Sequence, residues 1–308
     1  MLNNVVAKCA LIPEEIKHEI DLGFTKFEVQ LLSDSDYKKF DVVKEFDGID
    51  VVGVHTPLID NKDVVLGELC ADKKYSLFAH TCSLAQKLAE LYGHKVYVIL
   101  HNDLSRRQYE LYRPLSNNIM LRLSHLTTYV YPDVDVLIEN VTPISNYAQL
   151  RNGSDIRDCV EVCKFFNEKY GARLLSCCFD TCHHMMSKKL FEKIYKDSEL
   201  AEQPDYIFPI CDWQQVFEEC SDYIKVMHLN NMTYDGETLK THGTPFCECG
   251  EGSKLYEIMK AYVSNNCGAF ITLEVREDDY LNPKNLLVTY DNLRKTMVQL
   301  HTELLSTY

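Results

Sequence analysis

Six residues of metal-binding type recur at matching places along this chain: His55, His101, Glu139, Asp180, His228 and Glu274. Each stands at or near the end of a short apolar run, namely DVVGVHTP (50–57), KVYVILHN (95–102), VDVLIENV (134–141), ARLLSCCFD (172–180), YIKVMHLN (223–230) and GAFITLEV (268–275). Imidazoles mixed with carboxylates, without thiolate, suit Mn, Mg, Co, Fe or Zn held with coordination positions left open for chemistry. A lone histidine at a strand end is ordinarily a hydrogen-bonded structural residue. Six ligand-type residues in phase need a common cause. Side-chain alternation supports one, because residues two apart share a face of a strand. Asp180 shares its face with Cys178 and Ser176, small enough for a crowded interior, while Phe179, Cys177 and Leu175 face the other way. Gly53 behind His55 and Thr272 behind Glu274 repeat the pattern.

The densest chemical stretch, SCCFDTCHH (176–184), invites a zinc or redox reading that the rest of the chain does not support. Thirteen cysteines are present, an odd number with several in apolar runs, as expected of reduced, buried thiols in a cytoplasmic protein. Structural zinc on Cys177, Cys178, Cys182, Cys247 and Cys249 would call for C-x2-C pairs, and none occurs. The sequence places Cys178 inside, Cys177 against a helix and Cys182 in a loop beside the site. His184 and Trp213 read as structural. Cys247-Glu248-Cys249 is a C-x-C in a loop to which no role is assigned.

These residues need a scaffold that delivers strand ends to one place. Two further runs, VVAKCAL (5–11) and FTKFEVQL (24–31), bring the strand-like segments to eight. Helical patterns lie between them. PEEIKHEIDLG (13–23) opens on proline and closes on glycine, while YSLFAHTCSLAQKLAELYG (75–93) and DCVEVCKFFNEKYG (158–171) carry apolar residues at three-to-four spacing and also end on glycine. Eight strand–helix units with no linker predict an α/β fold, a single (β/α)8 barrel over residues 1–308, with reactive groups at the C-terminal strand ends. An open doubly wound sheet is the alternative, but no glycine-rich fingerprint follows the first strand.

Composition narrows the partners. The formal net charge is −14 and no basic run appears beyond pairs such as Lys38-Lys39, Arg106-Arg107 and Lys188-Lys189, which disfavours nucleic acid as a partner. No apolar stretch approaches the roughly 20 residues of a membrane span, and the start of the chain lacks the pattern of a signal peptide. The expectation is a cytoplasmic protein with no membrane partner; a homo-oligomer is left open.

The motifs GVHTPLI, LIEN, FDTCHH, VMHLN, CGEG (249–252) and TLEVRE resemble those of the xylose isomerase-like TIM-barrel superfamily, which includes sugar isomerases, epimerases and endonuclease IV. The resemblance covers most of the chain. It implies one divalent metal on Glu139, Asp180, His228 and Glu274, with Glu139 and Glu274 as a base and acid pair moving a carbon-bound proton of a small sugar-like hydroxy-carbonyl substrate. It also implies a substrate role for His183, with Arg276 and His242 as further substrate-binding candidates. Arg276 has an alternative as an ion-pair partner of Glu277 or Asp279. Mn, Mg or Co would serve that isomerase or epimerase chemistry. The tetrad D-T-C-H and the triplet H-L-N are similar to endonuclease IV, which implies the alternative of a di- or trizinc phosphodiester hydrolase, with His55, His101 and Glu139 as the first group of its ligands; a lyase is the remaining alternative. Outside that alternative, His55 and His101 read as ligands of a second metal, as substrate contacts or as hydrogen-bonded caps of the barrel. Two departures weigh against three zinc ions: Asn231 and Lys240 stand where that pattern has aspartates, and His242 lies farther from the GEG than it requires. Nor does SDSDYKKFD, after the second strand, supply an arginine-bearing loop for insertion into DNA.

Overall fold

A computed structural model describes residues 3–59, 62–102, 119–141, 155–171, 174–197, 212–234 and 239–306; Arg106-Arg107 lie outside the described residues. Eight strands form a closed parallel barrel: β1 (Val5–Ala10), β2 (Lys26–Gln30), β3 (Asp50–His55), β6 (Val96–His101), β7 (Val134–Glu139), β8 (Leu175–Asp180), β9 (Ile224–Leu229) and β12 (Phe270–Leu273). Around the ring the order is β1-β12-β9-β8-β7-β6-β3-β2, so β1 and β12 close the seam. Two antiparallel hairpins stand outside it, β4 (Leu58–Ile59) with β5 (Lys62–Asp63) and β10 (Asn231–Tyr234) with β11 (Leu239–Thr244). The expected (β/α)8 architecture is therefore present, with all eight anticipated strands in it.

The helices follow from local rules. α1 (Pro13–Asp21) begins on its proline, whose missing N–H costs nothing in a first turn. α2 (Phe40–Lys44) is a short segment, and α3 (Asp72–Tyr92) ends at Gly93 with φ +72°. α4 (Ile156–Tyr170) is capped by Asp155, which accepts from the Arg157 N–H, and ends at Gly171 with φ +65°. α5 (Thr181–Asp197), α6 (Trp213–Cys220), α7 (Lys254–Ser264) and α8 (Lys284–Ser306) follow. No described helix is long and apolar enough to cross a membrane.

Parallel strands packed inside and out lose the simple alternation of a half-exposed sheet. Outside, Leu175, Cys177 and Phe179 of β8 join the large core beneath the helices. Burying one aromatic such as Phe179 is worth about 1.5–3 kcal/mol. Inside, Ile99, Leu137, Cys178 and Val226 make a separate cluster, flanked by Tyr97 and Phe270, as the alternation around Asp180 predicts. Register then levels the strand ends: His101 pairs with Glu139, Asp180 with His228 and Gln30 with His55. One expectation fails. Cys182 is not a loop thiol, because α5 starts at Thr181 directly after β8 and buries Cys182 against Met186. Asp180 makes this abrupt start workable: its Oδ1 accepts the His183 N–H at 2.5 Å, satisfying a donor of the first turn.

Candidate metal centre

Glu139, the last residue of β7, is 1% exposed and sits at the middle of the barrel mouth. Its two oxygens face different partners. Oε2 lies 3.1 Å from His55 Nε2 and 3.4 Å from His101 Nε2, while Oε1 lies 3.3 Å from His228 Nδ1 and 3.4 Å from His183 Nδ1. Glu274, one residue past β12, reaches His228 Nδ1 with Oε2 at 2.8 Å, and Asp180 Oδ2 is 4.0 Å from the same nitrogen. The hairpin β10–β11 brings His242 over this group, with Nε2 3.5 Å from Asp180 Oδ2 and its ring centroid 4.7 Å from that of His183. Among the described residues, three sets without a thiol thus have mutually close ligand atoms: His55, His101 and Glu139; Glu139, Asp180, His228 and Glu274; Asp180, His183 and His242. The spacing that separates His242 from the endonuclease pattern does not keep it away, since the hairpin takes up the extra residues. Asn231, at the start of β10, instead bonds the Pro245 carbonyl.

Outer partners fix which nitrogen three of the histidines present. His55 Nδ1–H donates to the Thr56 carbonyl (3.2 Å) and His183 Nδ1–H to the Asn140 carbonyl (2.9 Å), leaving Nε2 of each as the ligand-type atom. His228 Nε2–H donates to Glu28 Oε2 at 2.9 Å, which turns Nδ1 toward the carboxylates. That Nδ1 is buried, with Glu274 Oε2 at 2.8 Å and Glu139 Oε1 at 3.3 Å. Imidazoles oriented through carboxylates and carbonyls are the usual supporting layer of a metal site. Asp180 is held likewise by Asn140, which takes the Asp180 N–H at 2.7 Å and donates to its carbonyl at 3.0 Å, and by Asn230, which donates to Oδ2 at 2.9 Å.

Charge points the same way. The charges of Glu28, Glu139 and Glu274 bear on one lysine, Lys8, whose Nζ lies 2.7 Å from Glu274 Oε1 and 3.3 Å from Glu28 Oε1. Burial works against ionising these acids, but His228 and His101 hold Glu139 well below the usual carboxylate range, and Lys8 and His228 do so for Glu274. Glu28 is lowered against its burial by His228 and Lys8. In return, burial opposes charge on His228, yet Cys178, Glu28, Glu274 and Glu139 push its pKa well above the ordinary imidazole value; Asp180 raises His242 against its burial. Protonated imidazoles balance the carboxylates, a role that divalent cations take over with release of protons. The donor set therefore fits oxygen- and nitrogen-loving divalent ions.

Arg276 lies apart from these groups. Its backbone N–H donates to the Gly243 carbonyl at 2.7 Å, and its side chain lines a cavity of about 420 Å³ with Lys8, Gln30, His242 and Glu274. Glu277 accepts the Leu286 N–H at 2.6 Å, and no ion pair joins Arg276 to Glu277 or Asp279 among the described residues. His184 is buried between Phe179 and Trp213, as a structural role requires.

Lys8, Glu28, Asn140 and Asn230 belong to the site although the strand ends do not announce them. The available signal was charge in mid-strand: Lys8 in VVAKCAL and Glu28 in FTKFEVQL lie in strands covered on both faces, where a charge must find a partner.

No protein-family model and no curated protein matches this chain. Solved structures do. A D-tagatose 3-epimerase-like protein matches with TM-score 0.58 and 14% identity, over 97% of this chain and 99% of that one. A 3-keto-D-glucoside 4-epimerase from E. coli gives 0.54 and 11%, over 97% and 99%, and a family 2 AP endonuclease from Brucella melitensis gives 0.55 and 11%, over 90% and 94%. These identities establish architecture rather than reaction. At the level of fold, the chain is a (β/α)8 TIM barrel, the architecture it shares with these structures.

Proposed function

We propose that this chain is a divalent-metal-dependent hydrolase of phosphate esters, with adjacent ions held by His55, His101 and Glu139 and by Glu139, Asp180, His228 and Glu274. The observation that carries the reading is the two-sided use of Glu139, which offers one oxygen to each ligand group. Ions bound there supply Lewis-acid activation of a water and stabilise charge on phosphate oxygens. The protein's part is positional. Glu139 ties the two groups together; Glu28 and Asn140 set the His228 and His183 rings; Lys8 fixes Glu274. Arg276 and Lys8 offer cationic contacts to an anionic substrate in the cavity. The net charge of −14 favours a small phosphate ester over a nucleic acid duplex.

A second reading is favoured by the cavity itself, whose volume of about 420 Å³ beside Glu274 suits a small sugar. There, one Mn, Mg or Co ion on Glu139, Asp180, His228 and Glu274 assists isomerisation or epimerisation, Glu139 and Glu274 exchange the proton, and His183, His242 and Arg276 hold substrate oxygens. Against it, Glu139 Oε2 faces two histidines and Glu274 Oε1 faces Lys8, which lowers the basicity of both acids.

Metal stoichiometry and paired assays separate the two. Hydrolysis predicts two or more ions per chain, cleavage of bis(p-nitrophenyl) phosphate, and loss of both ions in Glu139→Gln. One ion per chain, together with metal-dependent solvent deuterium uptake into a ketose, would overturn hydrolysis in favour of isomerisation.

A further inference from the structure

Directly beneath the ligand groups lies a thiol that neither reading uses. Cys178 is the register partner of Glu139 across β7 and β8, and its side chain points into the barrel with no exposure. Its Sγ, a Glu139 oxygen and a His228 ring nitrogen lie within 4.8 Å of one another. All three residues are at most 1% exposed. A buried cysteine alone is usually packing, and Cys178 does pack on Ile99, Leu137 and Val226. The independent observation is His228. Its ring is wholly buried, Glu28 holds Nε2, and Nδ1 is left among ligand-type groups, 2.8 Å from Glu274 Oε2 and 3.3 Å from Glu139 Oε1, with the Cys178 thiol beside the ring.

The two sets that contain His228 differ in character. Glu139, Asp180, His228 and Glu274 offer three carboxylates and one imidazole, a set suited to Mg2+ or Mn2+. Glu139, Cys178 and His228 offer one oxygen, one nitrogen and one sulfur, a set suited to Zn2+, Co2+ or Cd2+. They share two residues, so both cannot be filled independently. An ion that moves from the first to the second leaves Asp180 and Glu274 and sinks by one layer of the barrel.

We propose that Cys178, Glu139 and His228 form a deeper, thiol-containing position of the metal centre, and that Cys178 sets which class of ion the centre retains. Thiophilic ions bind low on Cys178, each entry releasing the thiol proton to solvent, while hard ions stay at the carboxylate-rich mouth. This rests on the barrel mouth being a metal centre and is independent of the reaction performed there.

Cobalt absorption reads the sulfur bond directly. The full chain, stripped of metal and carrying Cys247→Ser and Cys249→Ser to remove an exposed thiol pair, is titrated with Co2+. A near-ultraviolet sulfur-to-cobalt charge-transfer band is expected. It disappears on adding Cys178→Ser, although visible cobalt bands still report binding. Cd2+ affinity then falls at least about tenfold, whereas Mn2+ affinity is unchanged. Asp180→Asn gives the converse: Mn2+ affinity falls and the charge-transfer band persists. Circular dichroism checks the fold, and Cys178→Ala repeats the comparison should the serine variant not fold. Cobalt binding without the band, or a band that survives both Cys178 variants, overturns the proposal and leaves the metal centre standing. Failure of both Co2+ and Mn2+ to bind overturns the centre itself.

Discussion

Replacing Glu28 with Gln tests whether the barrel interior, rather than the ligands alone, sets metal affinity. Glu28 is 1% exposed, accepts from His228 Nε2 and Thr272 Oγ1 at 2.9 Å each, and lies 3.3 Å from Lys8. Glutamine keeps the shape and one acceptor oxygen but removes the charge. A hydrogen bond to a charged group is worth about 1.5–3 kcal/mol and a neutral one about 0.5–1.5 kcal/mol. The variant therefore gives up about 1–2 kcal/mol of His228 orientation and basicity. That converts to a Kd for Mn2+ or Zn2+ raised about 5–30-fold, at the low end of what outer partners of metal ligands contribute. Stability of the metal-free protein changes less, because Lys8 keeps Glu274 at 2.7 Å and one negative charge leaves a crowded cluster. Thr272→Val provides a graded control: it removes one hydrogen bond from Glu28 and raises the Kd by about fivefold or less. Isothermal titration against a competing chelator measures both. A Glu28→Gln protein that is folded and binds metal within about twofold of wild type would refute the assignment of Glu28 as the residue that orients His228.

Two other changes probe the frame. Glu19 on α1 is 5% exposed, its Oε2 has no hydrogen bond, and burial together with Glu277 and Glu15 raises its pKa from 4.5 to about 8. A raised carboxyl binds more protons folded than unfolded, so stability is full below about pH 4.5 and declines until about pH 8. The loss is of order 5 kcal/mol at most; thermal melts across this range show a shallower decline for Glu19→Gln, and an unchanged slope would count against the buried acid. Gly243 adopts φ +79° next to His242, and a Cβ there would meet Arg276 N at 3.2 Å. Gly243→Ala costs about 1–2 kcal/mol and displaces His242; a variant with unchanged Tm and metal affinity would show that the hairpin does not position that ligand.

How much of this was legible follows from period and range. The eight strands and the glycine-ended helices were readable because burial periodicity and capping are local. The convergence of the candidate ligands was readable because a barrel gathers strand ends that the sequence shows one at a time. Lys8 and Glu28 were not, since the strand-end rule passes over mid-strand positions and the Lys8–Glu274 pair spans 266 residues. His242 could not be placed from spacing, because a hairpin of unpredicted register carries it inward. Cys182 was misplaced for a different reason: a loop was assumed after β8, whereas the Asp180 carboxylate itself supplies the cap that starts α5.

The seam between β1 and β12 has a consequence for how the chain folds. Lys8 on the first strand grips Glu274 beside the last, and Glu274 reaches His228 on the neighbouring strand. The centre is therefore assembled only when the ring closes, late on any route that begins with local strand–helix pairs, because such distant contacts carry the largest loop-closure cost. Ligand groups gathered across a seam act as a latch. An ion that binds only the closed ring stabilises the whole chain by mass action.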